Sequence, residues 1–367
     1  MIKFLDLYHQ YQTIQTEFDA AIRNTIEKSA FIGGESVKSF ESAFAHYQQA
    51  LHCVGVANGT DELEIAIEAL NLPAGSDVIV PANSFIASSE AVTRYGHRVV
   101  FADIGPTSYN LVCADVERRI THRTKAVIAV HLFGHQCDMD GLRALATTHN
   151  LKIVEYCAQA HGAEYKGQRV GTIGNIGVFS FYPGKNLGAA GDASAILTND
   201  EDMAVRCRMI ANHGRIDKYN HLMEGRNSRL DGLQAAVLNV KLRHLDGWIG
   251  RRKAIAGRYL KGLSGVRHKL LPTIADDVRH ALHLFVVRLP EYDGLKSYLS
   301  GRGIESGIHY PIALPKLAAY AYLGQAEERM LANSSDTELL RLPMGEHLSD
   351  AEVDVVISAV RGFAARI

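Results

Sequence analysis

Phe179-Ser-Phe-Tyr-Pro-Gly-Lys-Asn-Leu-Gly-Ala-Ala-Gly-Asp192 carries the strongest local signal in this chain. Aromatic and β-branched residues run up to it as a buried strand. Pro183 and Gly184 end that strand, and Lys185 follows at once, ahead of Gly188 and Gly191. The two later glycines are expected to let a cofactor approach the backbone closely. A partly desolvated lysine at a strand-to-loop junction is pushed toward the neutral, nucleophilic amine that Schiff-base chemistry with a carbonyl compound needs. A lone loop lysine is ordinarily just solvated, so the rest of the chain must decide.

Upstream, apolar positions at helical spacing predict one amphipathic helix over 9–29 and a second over 36–49. The run Cys53-Val-Gly-Val-Ala57 reads as a strand. It leads into Asn58-Gly-Thr60 and a helix with an acidic first turn (Asp61, Glu62) and apolar Leu63, Ile67 and Leu70. Free N–H groups of Gly59 and Thr60 at the positive end of that helix would form a phosphate cup, although helix capping by Asn58 or Thr60 accounts for the same residues. Strands near 78–80, 99–101, 126–130 and 151–154 then alternate with helices over 84–95, 114–120 and 139–149. Unbroken β-branched runs between amphipathic segments argue for a mainly parallel sheet covered on both faces. In such sheets ligands bind beyond the carboxyl ends of the strands, where Asn58, Phe85, His131 and Tyr156 fall. Beyond Lys185 the pattern predicts a strand at 193–197, a helix over 201–211 and a long helical stretch over 233–263. A new unit follows, with a strand at 283–288, a helix over 295–302 and a terminal helix from Asp350. The expected fold class is α/β, with a large domain over 1–249 and a smaller C-terminal α+β domain over 250–367.

Composition narrows the function. Lysine plus arginine (39) nearly equals aspartate plus glutamate (40), so no global field points to nucleic acid or an anionic membrane. An anionic ligand must be held by a local site. The opening Met1-Ile-Lys-Phe-Leu-Asp6 lacks the basic-then-apolar pattern of a secretory leader, and no apolar run reaches the roughly 18 residues of a membrane span, so a cytoplasmic location is expected. The five cysteines are scattered, without a C-x-x-C pair, and read as free thiols. Two lookalikes fail. Gly171-x-x-Gly174-x-x-Gly177 precedes a strand where a dinucleotide loop must precede a helix. His131 and His135 have zinc-helix spacing, but Phe133-Gly134 after an apolar strand opposes a helix, and no metal is expected.

Together these stretches resemble the DegT/DnrJ/EryC1/StrS family, the sugar-nucleotide aminotransferases of fold type I. The matching segments, in the family's order, are Asn58-Gly-Thr60, Pro81-Ala-Asn-Ser-Phe-Ile-Ala87, Val130-His-Leu-Phe-Gly134, Ala158-Gln-Ala-His-Gly-Ala163, Phe179 to Lys185, Asn227-Ser-Arg-Leu-Asp231 and Gly307-Ile-His-Tyr-Pro311. The resemblance implies that Lys185 holds pyridoxal 5′-phosphate as a Schiff base and carries the proton during transamination. It implies that Gly59, Thr60 and Ser180 bind the cofactor phosphate, Phe85 stacks on the ring, Gln159 meets the phenolic oxygen, and Asn227 reaches the phosphate of the other subunit of a homodimer. Tyr182, His309 and Tyr310 match segments lining the sugar-nucleotide cleft, with Lys218 and Tyr219 as further candidates. Phe4-Leu-Asp-Leu7 and the Tyr-Pro-Gly-Lys-Asn-Leu-Gly form are most similar to the branch that aminates C3 of dTDP-3-keto-6-deoxyhexoses, with glutamate as amino donor.

One departure bears on rate. The family reads Glu-Asp-x-Ala-Gln/His where this chain reads Glu155-Tyr156-Cys-Ala-Gln159. The aspartate keeps the ring nitrogen protonated. A phenol with an ordinary pKa near 10 is a poor counter-ion there. Glu155 cannot replace the lost group, because adjacent strand residues point to opposite faces. Losing a charge-assisted contact of roughly 1.5 to 3 kcal/mol slows a reaction about ten- to a hundredfold or more. The alternative function is therefore a cofactor- or sugar-nucleotide-binding protein with impaired or absent turnover. Ala313-Leu-Pro315 and Tyr292-Asp293 also depart from the family's usual residues and bear on substrate identity.

Overall fold

β-branched runs without polar alternation can be buried on both faces only inside a covered sheet, and the computed structural model places them there. It describes residues 1–266, 271–274, 278–289 and 292–366. The strands β1 (His52–Val56), β2 (Asp77–Pro81), β3 (Arg98–Ala102), β4 (Thr124–Val130) and β5 (Lys152–Tyr156) precede a short hairpin, β6 (Glu164–Tyr165) and β7 (Gln168–Arg169). Then come β8 (Ile176–Ser180) and β9 (Ser194–Thr198). Seven of them form one sheet in the order β1-β9-β8-β5-β4-β2-β3. Only β9 runs against its neighbours, pairing antiparallel with β1 and β8, and the other pairs are parallel.

Successive side chains on each strand go to opposite layers. Val80, Val154 and Val178 pack with Leu63 and Ile67 of the helix over Gly59–Ala69. On the other face Ile79, Val127 and Ile153 pack with Leu142 of the helix over Met139–His149. Phe179 and Ala195 join Phe40 and Phe44 of the helix over Glu35–Gln48. Every residue of β8 and β9 is buried.

The expected helix over 9–29 is two helices, Leu7–Thr13 and Gln15–Glu27. Ile14 between them leaves helical geometry and packs its 3% exposed side chain against Val240 and Trp248. Tertiary packing overrides local periodicity there. The expected stretch over 233–263 likewise divides into Gly232–Leu242 and Leu245–Leu263, and the second helix continues unbroken through residue 250. Beyond it, β10 (Val278–Arg279) extends the β6–β7 hairpin. β11 (Phe285–Arg288) pairs antiparallel with β12 (Leu339–Leu342), covered by the helices Tyr292–Ser300 and Asp350–Ala364. Ile2 packs in this C-terminal core and bridges to Ile304, whereas Leu314 and Leu339 belong to the core of the main sheet.

The carboxyl ends of the parallel strands share one edge. Asn58 follows β1, Phe85 lies just past β2, His131 follows β4, and Tyr156 and Ser180 close β5 and β8. Glu155 and Tyr156 do point apart. The fully buried Glu155 carboxylate accepts the N–H groups of Gly171 (2.8 Å), Ile173 (2.7 Å) and Gly174 (2.6 Å). His131 Nδ1 accepts the Cys137 N–H, so its Nε2 carries the proton donated to Glu155 at 3.1 Å. The glycine-rich run that resembles a dinucleotide loop thus wraps a carboxylate. His131 and His135 share no helix, because Leu132–Gly134 is a single tight turn with Phe133 at φ 59°.

Glu155→Ala leaves the buried N–H of Gly171 and the half-buried N–H groups of Ile173 and Gly174 without a partner. It is expected to destabilise the chain by about 3 to 5 kcal/mol, read as a lowered midpoint in denaturant unfolding. A midpoint near the wild type's would show that the 171–174 loop does not depend on this carboxylate.

Candidate active site

At the carboxyl edge the chain leaves a cleft of about 740 Å³, closed on one side by the C-terminal unit. Lys185 lies in it. The Lys185 N–H bonds back to the Tyr182 carbonyl at 2.8 Å, so the chain turns sharply as it leaves β8 and the side chain is set at the strand end. Burial lowers its amine from the usual 10.5 to about 8. The Glu62 carboxyl pulls the other way, and the Arg341 guanidinium adds to the lowering. The amine is thus about half neutral at pH 8, where an ordinary lysine is neutral in only about three molecules per thousand.

The cleft gathers most of the residues singled out from sequence. Gly59, Thr60, Phe85, Tyr156, Gln159, Ser180, Tyr182, His309 and Tyr310 line it together with Lys185. Asn227, Lys218 and Tyr219 do not line it. Asn227 is exposed and bridges to Asn212, and Lys218 lies over the Tyr219 ring at 5.3 Å on the surface loop that follows the helix over Glu201–Ala211.

Local chemistry fixes the geometry at one end. Asn58 caps the helix over Gly59–Ala69, its side chain accepting the N–H groups of Thr60 (3.1 Å) and Asp61 (3.0 Å), so the Thr60 N–H expected to be free is taken by the cap. A Cβ on Gly59 would stand 2.8 Å from Ser180 Oγ, which only glycine avoids. Gly188 and Gly191 serve a different purpose from the one expected. They meet Pro183 and Gln234, so they close the lysine loop on itself and against a neighbouring helix and do not open it to a ligand.

At the other end, Gln159 takes the Phe133 N–H at 2.6 Å and donates to the Tyr310 hydroxyl at 3.3 Å. Tyr310 lies 5.9 Å from the half-exposed Phe85 ring, and Ser180 Oγ takes the Tyr182 N–H. Tyr156 is 7% exposed. Burial, then the Glu62 carboxyl, push its phenol well above the ordinary value, so it stays neutral. His309 is held neutral too, lowered to about 3 by burial, then Arg341 and Lys185. His283 is lowered well below its usual value by burial first and bonds Asn186 at 3.0 Å.

Several contributors were not singled out from sequence. Phe4, Leu5, Arg252, His283 and Arg341 line the cleft. Glu62 stands directly behind the cup, fully buried, with neither carboxyl oxygen hydrogen-bonded, its Oε1 3.6 Å from the Cβ position of Gly59. Desolvation raises its pKa well above 4.5.

A seven-stranded α/β sheet with a desolvated lysine beside a capped helix start is the architecture of a lysine-dependent group-transfer enzyme. The chain belongs to the DegT/DnrJ/EryC1/StrS aminotransferase family, whose sequence model matches residues 12–361. It is 44% identical over 367 residues to the dTDP-3-amino-3,4,6-trideoxy-alpha-D-glucose transaminase of Streptomyces venezuelae, covering 100% of this chain and 97% of that protein. It is 43% identical over 363 residues to the dTDP-3-amino-3,6-dideoxy-alpha-D-galactopyranose transaminase of Aneurinibacillus thermoaerophilus, covering 99% of each. The crystal structure of S. venezuelae DesV in complex with a ketimine intermediate superposes with a TM-score of 0.97 at 43% identity, covering 100% of this chain and 99% of that one. Among the described residues no helix is long and apolar enough to cross a membrane.

The Glu62 carboxyl is testable by titration. The folded chain keeps a proton that the unfolded chain releases near 4.5, so the stability tied to this group is fully present below that pH and is lost as pH rises toward the folded value. Glu62→Gln cannot titrate. Its melting temperature is expected to gain on the wild type's as pH rises above 4.5 toward the folded value. A difference that stays constant with pH would show that the carboxyl ionises normally in the fold.

Proposed function

We propose that this chain is a pyridoxal 5′-phosphate-dependent aminotransferase that places an amino group on C3 of a dTDP-linked 3-keto-6-deoxyhexose, with glutamate as donor and a homodimer as the working unit. The observation that carries the reading is the Lys185 amine, lowered to about 8, in a cleft beside a helix start and an aromatic face. The names of the two relatives support the sugar-nucleotide class, and solved relatives holding PMP support the cofactor.

The residues fit that cofactor. Gly59, Thr60 and Ser180 form a cup too narrow for a Cβ at residue 59 and suited to a phosphate. Asn227 of the partner subunit is assigned to the same phosphate. Phe85 is assigned to the ring face, Gln159 to the phenolic oxygen and Tyr156 to the ring nitrogen. When bound, the cofactor supplies an electrophilic carbon and a conjugated ring that takes up the electron pair left when a proton leaves the amino-bearing carbon.

Lys185 Nζ, neutral in a large fraction of molecules, takes the proton from the donor Cα and later returns a proton to the sugar carbon. Tyr310, fixed by Gln159, and His309, held neutral, present hydrogen-bonding groups to the sugar together with Tyr182. Lys218 and Tyr219 are assigned to the substrate's outer part. Tyr156, as a neutral phenol, bonds the ring nitrogen without supplying a counter-charge, and it limits the rate of proton loss.

Holoenzyme incubated with glutamate and a dTDP-3-keto-6-deoxyhexose is expected to yield the amino sugar and 2-oxoglutarate, read by mass spectrometry. Lys185→Ala should cut turnover at least about 10²- to 10⁴-fold. Cofactor that binds while no amino donor yields an amino sugar would support a binding protein without turnover. Tyr156→Asp is expected to speed the donor half-reaction about tenfold or more. No gain there would show that the ring-nitrogen contact is not rate-limiting.

A further inference from the structure

The apolar residues on either side of His283 serve three different cores. Ala281 belongs to the core around Phe40 and Phe44, Leu282 to the C-terminal core, and Leu284 to the core of the main sheet. His283, 7% exposed between them, lines the cleft that holds Lys185. The backbone bends to allow this. Leu282 takes a left-handed φ of 50°, and its N–H donates to His280 Nδ1 at 2.8 Å. A leucine keeps that conformation only where its surroundings over-determine it. Here the Ala281 N–H donates to the Gly134 carbonyl at 3.0 Å, the Leu284 N–H to the Phe133 carbonyl at 3.3 Å, and the buried Arg252 to the His283 carbonyl at 3.1 Å.

This braced segment reaches the lysine loop through one side chain. Asn186 Nδ2 donates to the Ala281 carbonyl at 2.7 Å, which turns its Oδ1 toward His283. That oxygen accepts the imidazole Nδ1–H at 3.0 Å. Burial keeps the ring neutral, so the tie does not depend on a histidine charge. Asn186 is the first buried residue after Lys185, whereas Tyr182 is exposed and Pro183 and Gly184 are half-buried. Further on, the Gly188 carbonyl accepts from the buried Lys241 Nζ at 2.6 Å. Lys185 thus stands where an open stretch of loop meets a tied one, and the first tie after it to another part of the chain is Asn186.

We propose that His283 is a positioning residue for Lys185, acting through Asn186 to hold the amine at one place in the cleft. The inference rests on the aminotransferase reading and deepens it. An amine that moves protons to and from carbon atoms of two different ligands must be set accurately with respect to both, and small misplacement is costly in rate.

The test compares the wild type with His283→Leu, His283→Gln, Asn186→Ala and the His283→Leu/Asn186→Ala double variant. In the cofactor-free chain, the midpoint for labelling of Lys185 by an amine-reactive reagent is expected to move in His283→Leu from about 8 up toward 10.5, because an unpinned amine regains water. In the holoenzyme, the rate at which saturating glutamate bleaches the visible band falls about ten- to a hundredfold. The glutamate concentration giving half that rate stays within about twofold of the wild type's. Asn186→Ala behaves alike, and the double variant is no slower than the slower single one, since both changes cut one path. His283→Gln, whose amide N–H can reach the same oxygen, recovers part of both effects. A midpoint that stays at about 8 in His283→Leu, losses that add in the double variant, or a glutamine variant no better than leucine overturns the proposal. Melting temperatures monitor folding, and Asn186→Ala carries the same two readouts should the leucine variant fold poorly. Labelling needs no amine transfer, so a wild type that glutamate fails to bleach counts against the aminotransferase reading while the labelling midpoints still decide the role of His283.

Discussion

The cost of holding the Lys185 ammonium away from water constrains the rest of this site. A lysine kept in a cleft between a sheet edge and a C-terminal unit loses hydration, and its amine falls to about 8. The surroundings are consistent with that cost being left largely uncompensated. His283 and His309 are neutral, Tyr156 is neutral, and Arg341 adds a second cation. Glu62 opposes the lowering only when ionised, and burial raises its own pKa well above 4.5, which weakens that opposition. The cleft is therefore electropositive at both ends and suited to ligands that are anionic at more than one point.

The acids are distributed with equal consequence. Glu155 is committed to the 171–174 backbone on the far face of β5 and cannot be released without orphaning three N–H groups. Its neighbour Tyr156 takes the cleft face. One strand therefore separates a structural carboxylate from a neutral phenol by a single residue, and the alternation of the pleat enforces that separation. Under the proposed cofactor assignment, the ring nitrogen would meet a hydrogen bond from this phenol in place of a counter-ion.

Much of this was legible in the sequence where one physical rule dominates. β-branched runs announced the buried strands, and ligand sites at carboxyl ends followed from parallel topology, so Asn58, Phe85, His131 and Tyr156 meet in one cleft, where Gly59 and Lys185, singled out by local pattern, and Ser180, added by the family resemblance, join them. The helices Met139–His149 and Glu201–Ala211 begin and end where capping and periodicity put them. The rest depended on contacts remote in sequence. Ile14 breaks a periodic helix because Val240 and Trp248 need filling. Glu62 looks like an ordinary first-turn acid until β8 and β9 close over it. Arg341 reaches the cleft from β12, and Phe4 joins it there as the chain's first residues pack on the C-terminal unit, where Ile2 pairs with Ile304. Asn227, Lys218 and Tyr219 lie on a surface loop that a single chain does not turn into its own cleft.

The account stands on the protonation of one nitrogen. The rate at which an amine-reactive reagent labels Lys185 in the cofactor-free chain, followed against pH by peptide mass spectrometry, measures it directly. A titration midpoint at about 8 is the predicted result, and a midpoint at the ordinary 10.5 would contradict the desolvated-lysine cleft on which the functional reading depends.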